Sequence, residues 1–310
     1  MPERIDKPVS LTSHLDDKTS PIGQFIRQRF SQTGALTKDA NRQLKDTPTL
    51  RPVVQAGEQY PYGTLGAAID YRVRYAFAIT PFHEFVAWHG AVLLTRSGAY
   101  SRGLVQAFFE QLDTTVKALQ PVGRLLATTD EQTLDRFCIV LSLFEQVFRS
   151  NAYVRGPLML PVVKHSIEEL LAIPQAVELD DLSAMFALFY DRCHDLLSHS
   201  RVLNPTFAGS LDVGGADADF IVDGCLIDMK ATISPQIKAD FLYQLAGYVL
   251  LDYNDTYHIN SVGIYMARQR MLFSWPIAEF VYKLTGTDPA SLGALRQEFR
   301  TLCQKTRRAY

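Results

Sequence analysis

Between residues 63 and 200 the apolar positions return at three- and four-residue intervals. That period predicts a succession of helices over about 63–79, 81–96, 100–119, 129–149, 165–173 and 180–199. Thr80-Pro81, Ser97-Gly98, Pro121 and Gly156-Pro157 punctuate them. Residues 1 to about 20 are polar and aperiodic, a pattern expected of a loose terminus. Residues 21–60 hold one short amphipathic piece (Ile22, Phe25, Ile26, Phe30) and then a connection rich in Pro, Thr and Gln. Past residue 200 the period shortens to two. Strand-type runs at 220–222 and 225–227 flank Asp223-Gly224, and a helical run follows over about 237–253. A further strand pair is expected at 262–266 and 271–275, with a first strand near 206–210. The pattern predicts an α/β fold, a mixed central β-sheet flanked by helices, with a large helical N-terminal region. Residues 1–200 form that region and 201–310 the sheet-bearing domain.

Asp223-Gly224 predicts a two-residue hairpin turn, because both positions need φ > 0. Folding there sets Val222 against Cys225, Phe220 against Ile227, Asp219 against Asp228 and Asp217 against Lys230. Asp217, Asp219, Asp228 and Lys230 then project from one face, and Phe220, Val222, Cys225 and Ile227 from the other. Facing carboxylates repel and call for a cation between them. A hard divalent ion such as Mg²⁺ or Mn²⁺ suits carboxylate oxygens and keeps waters for a substrate. A lysine two residues past the second carboxylate can orient a metal-bound water or steady phosphate charge. The alternative is a surface hairpin whose charges are solvated or paired. In the helical run Gln244 and Tyr248 are four apart, so they share a face.

Asp219, then Asp228-Met229-Lys230, then Gln244-Leu245 and Tyr248 resemble the PD-(D/E)XK nuclease superfamily in its RecB-like branch. The resemblance runs from roughly residue 205 to 276, with Ala218 rather than proline before the first Asp, as in many members. It implies a restriction-endonuclease-like core in which Asp219 and Asp228 hold the metal and the Met229 carbonyl completes its shell. Lys230 is then catalytic, and Gln244 and Tyr248 contact the substrate backbone or orient the site. The superfamily usually adds an acid or a histidine from a helix ahead of the hairpin. Asp70, at the edge of the stripe Leu65, Ile69, Val73 and Ala76, is the better candidate for that third metal ligand. An i,i+4 pair with Arg74 is an equal alternative. Asp191 and Asp195 fall opposite the apolar stripe of their helix and are expected in solvent.

Composition narrows the picture without producing it. A net charge of −2 argues against a protein that coats nucleic acid nonspecifically. Residues 201–280 carry a net of −4 and residues 281–310 a net of +4, the latter on Lys283, Arg296, Arg300, Lys305, Arg307 and Arg308. That basic C-terminal helix could grip phosphates or simply end in solvent. The four cysteines lack CxxC spacing and read as reduced thiols of a cytoplasmic protein, and no apolar run or leader suggests a membrane or export. HExxH is absent because position 87 is Ala, so His83 and His89 are no zinc pair; His165, His194 and His199 read as structural. Gly214-Gly215 leads into a strand and is no phosphate loop.

The expectation is a metal-dependent nuclease, most readily a deoxyribonuclease because most relatives cut DNA. The helical region would serve recognition or a protein partner, and restriction or antiphage defence is the role suggested by analogy. The alternative is a catalytically silent nucleic-acid-binding or assembly module on the same fold.

Overall fold

The computed structural model describes residues 10–54, 59–150, 158 and 166–308. The first nine residues, the Gly156-Pro157 break and His165 lie outside the described residues. In chain order the helices are α1 (Leu11–Asp16), α2 (Pro21–Arg29), α3 (Gly34–Leu44), α4 (Tyr62–Phe77), α5 (Val86–Arg96), α6 (Arg102–Leu119), α7 (Thr128–Ser150), α8 (Ile167–Leu171) and α9 (Ala176–Cys193). Then come β1 (Arg201–Leu203), β2 (Phe220–Val222), β3 (Cys225–Lys230), α10 (Ala239–Leu251), β4 (Ser261–Met266), β5 (Met271–Pro276), α11 (Ile277–Thr285) and α12 (Leu292–Arg307). Among the described residues no helix is long and apolar enough to cross a membrane, and the cysteines are free thiols. The chain divides into two compact units. Leu50–Ser198 and Ala231–Ile233 belong to one; Pro8–Thr49, His199–Lys230 and Ser234–Tyr310 belong to the other.

The helical unit is built around α4, whose residues are buried on nearly every side. Phe108, Phe137 and Phe144 pack edge to face or tilted with centroids 5.4 Å apart, the geometry aromatic quadrupoles favour. α5 lies so close to α7 that a Cβ on Gly90 would sit 1.7 Å from the Phe144 carbonyl oxygen. Arg72 of α4 is fully buried and must be neutralised there. It donates from Nε and Nη2 to the two oxygens of Glu131, each at 2.8 Å, and its guanidinium lies 3.4 Å over the Phe186 ring. Asp135, also buried, accepts from the Ser183 hydroxyl and lies 3.8 Å from Arg72. Burial pushes its carboxyl up to about 7, a shift that Ser183 and Arg72 oppose and Glu131 reinforces.

The second unit carries one five-stranded mixed sheet in the order β1-β2-β3-β4-β5. β1, β2 and β3 run antiparallel, β3 and β4 parallel through the crossover helix α10, and β4 and β5 antiparallel. Asp223 (φ 47°) and Gly224 (φ 77°) both take positive φ, as the hairpin turn requires, and Phe220 pairs with Ile227 and Val222 with Cys225. Ile221, Leu226, Val262 and Ile264 face Leu242, Leu245 and Val249 in one core. Phe220, Val222, Ile227 and Tyr265 are buried on the opposite sheet face.

Several elements differ from the sequence reading. The first strand is at Arg201–Leu203, not 206–210. There the Ser210 hydroxyl takes the Phe207 amide (2.8 Å) and donates to the Ala216 carbonyl (2.5 Å), folding the segment into a 3₁₀ turn at Ser210–Val213. Thr206 forms an isolated bridge to Asp217 in place of a strand, and its carbonyl accepts the Tyr257 hydroxyl. α1 forms inside the expected loose terminus, capped by the Ser10 hydroxyl, with Leu11 and Leu15 buried in the core that also holds α10. α3 forms in the expected connection on a thin stripe of Leu36, Ala40 and Leu44. α5 begins at Val86 behind a 3₁₀ turn at Phe82–Glu84, not at residue 81. α11, which the reading did not include, buries Phe280, Val281 and Leu284.

Candidate active site on the hairpin and helix α10

β3 sets Asp228 and Lys230 two residues apart, so both project toward the face that α10 covers. Asp228 is 3% exposed. Its Oδ2 lies 2.6 Å from Lys230 Nζ yet accepts no aligned hydrogen bond. The ammonium donates instead to Gln244 Oε1 at 2.8 Å, and Gln244 Nε2 donates to the Tyr248 hydroxyl at 2.7 Å. Gln244 and Tyr248 reach the same line because they are one helical turn apart on α10. Phe241, a turn earlier, lays its ring 5.0 Å from the ammonium.

Asp219 enters differently from its expected cross-strand position. The β2–β3 ladder ends at the Phe220–Ile227 pair, so the pairs Asp219–Asp228 and Asp217–Lys230 are not part of it. Residues 217–219 peel away and pair with the segment after β1: Asn204 N–H donates to the Asp219 carbonyl (3.0 Å) and Ala218 N–H to Pro205 (3.3 Å). The Asp219 side chain bridges the opening, its Oδ2 accepting the Met229 N–H at 2.5 Å. A carboxylate oxygen thereby takes the place of a backbone acceptor. Three carboxylates nonetheless act on one hydroxyl. Burial first, and then Asp228, Asp219 and Asp217, push the Tyr248 phenol well above its ordinary range, so it keeps its proton at any ordinary pH.

Among the described residues no group of three or more His, Cys, Asp or Glu side chains forms a ready cation cage. The donors present still suit a hard divalent ion. Asp228 Oδ2 is a buried carboxylate oxygen that accepts no aligned hydrogen bond and has the Lys230 ammonium at 2.6 Å, a hard oxygen donor of the kind such an ion prefers. Mg²⁺ commonly takes only one or two protein carboxylates and fills its shell with water.

Asp70 lies in the helical unit, where its carboxylate is ion-paired with Arg74 one turn on. Asp191 and Asp195 are exposed, as expected. The basic C-terminal residues are largely committed elsewhere. Arg296 is buried and bonds the Val249 carbonyl (3.0 Å) and Asp255 (2.8 Å); Arg307 pairs with Asp212 and Lys283 with Glu279. Among the histidines, His194 bonds the Tyr190 carbonyl and His199 contacts Asp223, each at the surface. Phe241 and the Met229 amide were missed as site groups. Phe241 was recoverable from its three-residue spacing to Gln244; the amide was not, because its role depends on the early end of the ladder.

No protein-family model, curated protein or solved structure matches this chain. The site therefore speaks for itself.

Proposed function

We propose that the five-stranded sheet and α10 form a restriction-endonuclease-like core that hydrolyses phosphodiester bonds, with DNA as the favoured substrate. The observation that carries this reading is the continuous polar line Asp228–Lys230–Gln244–Tyr248, with Asp219 clamped to the backbone between Asp228 and Lys230. A divalent cation, Mg²⁺ or Mn²⁺, would be held by Asp219 and Asp228, and when bound it supplies the acidity that activates water and polarises the phosphate.

The chain's own groups set the geometry. Lys230 keeps a proton-rich ammonium at the edge of the carboxylates, where it can donate to a phosphate oxygen as charge builds. Gln244 fixes the lysine by accepting one of its hydrogens, and Tyr248 fixes the Gln244 amide in turn. Phe241 covers the ammonium, strengthening its field by keeping water off. Positioning of this kind is a large part of catalysis in phosphate chemistry.

The test is cleavage of linear, circular and single-stranded DNA with Mg²⁺, Mn²⁺ or EDTA, comparing wild type with Asp228→Ala and Lys230→Ala. The expected outcome is metal-dependent cutting that falls by about a hundredfold or more in each variant. Metal-independent DNA binding without cutting by the wild type would instead support the silent binding module.

A further inference from the structure

A second site lies in the helical unit. The 3₁₀ turn before α5, α5 itself and the first half of α6 enclose a cleft of about 610 Å³, within the size range of small-molecule sites. Phe82 and Trp88 form its aromatic wall, with centroids 5.2 Å apart, and each ring packs 5.1 Å from the buried Phe109. That backing fixes the two rings while leaving both partly open. Arg96, Arg102, Gln106 and Glu110 also line the cleft.

The charges are arranged unevenly. Among the described residues neither Arg96 nor Arg102 has a carboxylate partner, although Glu110 lines the same cleft. Glu110 is instead engaged by the Gln106 amide at 2.8 Å. Arg102 is the first residue of α6, where the helix end is already positive and a cation is unfavourable. Two exposed guanidiniums, one at a positive helix end, leave positive charge at the cleft that an anion would complement. Rigid rings beside them call for a flat partner, since every base offers a π-face. An amide and a carboxylate can then meet the hydrogen-bonding edge of that partner.

We propose that this cleft binds a nucleoside phosphate, its base on Phe82 and Trp88 and its phosphate on Arg96 and Arg102. The ligand is either a free mononucleotide or the 5′-phosphorylated end of a single strand. The assignment is independent of the hairpin chemistry.

The chain has two tryptophans, so Trp275→Phe leaves Trp88 as the sole indole reporter. Its fluorescence would be titrated in EDTA with AMP, adenosine, inorganic phosphate and a 5′-phosphorylated single-stranded oligonucleotide. Circular dichroism would first establish that the variant is folded. Saturable quenching by AMP or the oligonucleotide is expected, weakened about tenfold or more for adenosine and in Arg96→Ala and Arg102→Ala. Both arginines are exposed, so their loss should leave the fold intact. Response to AMP identifies a free-nucleotide site; response to the oligonucleotide alone identifies a strand-end site. The proposal is overturned if neither ligand quenches saturably, if adenosine binds as well as AMP, or if the arginine variants bind like their parent.

Discussion

A buried carboxylate paired, among the described residues, with a single lysine is both a chemical asset and a structural liability. Removing Lys230 leaves the 3%-exposed Asp228 carboxyl without its ammonium, a condition that costs about 3 kcal/mol or more. Lys230→Ala should therefore lower the denaturant midpoint, and Mg²⁺ should recover more stability in that variant than in wild type. Equal Mg²⁺ responses would remove Asp228 from any cation site. Much of this constellation was legible in the residues. Period two placed Asp228 beside Lys230, and a spacing of four stacked Gln244 on Tyr248. Asp219's contact was not legible, because extrapolating the hairpin beyond its third pair assumed a ladder that in fact stops at Phe220. Asp70 illustrates a different limit: the i,i+4 pair with Arg74 and an inward-facing acid have the same sequence pattern, and the structure contains the pair.

Elements were legible where a strong local signal sat in or beside a buried run. Asp223-Gly224 is the clearest case, since only the primed turn satisfies both residues and the flanking strands. Helices α4, α6, α7 and α9 announce themselves by broad apolar stripes, whereas α3 buries one residue per turn and α1 spans fewer than two turns. Such helices owe their existence to the neighbours they cover, which no local window contains. Helix contact also sets a sharp demand at Gly90. Any Cβ there meets the Phe144 carbonyl at 1.7 Å, so Gly90→Ala must push α5 from α7. The expected loss is about 3 kcal/mol, toward or beyond the upper end of overpacking costs, measured by denaturant unfolding. A wild-type midpoint would show that the two helices can part freely.

At the scale of the molecule, two features were invisible in sequence: a buried charge cluster, and the interleaving of the two units. Asp135 titrates near 7 when folded and near 3.8 when exposed, so the folded chain holds a proton that the unfolded chain has released between those values. Its contribution to stability is greatest at low pH, falls as pH rises from about 4 to about 7, and is constant above. Wild type should then lose on the order of 1 kcal/mol more between pH 6 and pH 8 than Asp135→Asn, read from urea midpoints at each pH. Identical slopes would show that Asp135 ionises as an ordinary acid. Interleaving has its own test. Pro8–Thr49 groups with the sheet, and Ile22, Ile26, Phe30, Leu36 and Leu44 share its core. A fragment of residues 199–310 should fail to unfold cooperatively in calorimetry, and joining residues 8–49 to it should restore a transition. A cooperative transition in the shorter fragment would mean that α1–α3 merely decorate the sheet.

That same interleaving orders events during synthesis. α2 packs against α12, so a helix made early in this stretch of chain waits for α12 before that part of its surface is covered. At about 5–20 residues per second the interval is roughly ten seconds or more. Within it, once residue 233 has emerged, Leu50–Ser198 and Ala231–Ile233 of the helical unit are complete, while the sheet unit still lacks α12. A nascent chain would thus complete the sequence of its helical unit before that of the core shared by α2, α10 and α12.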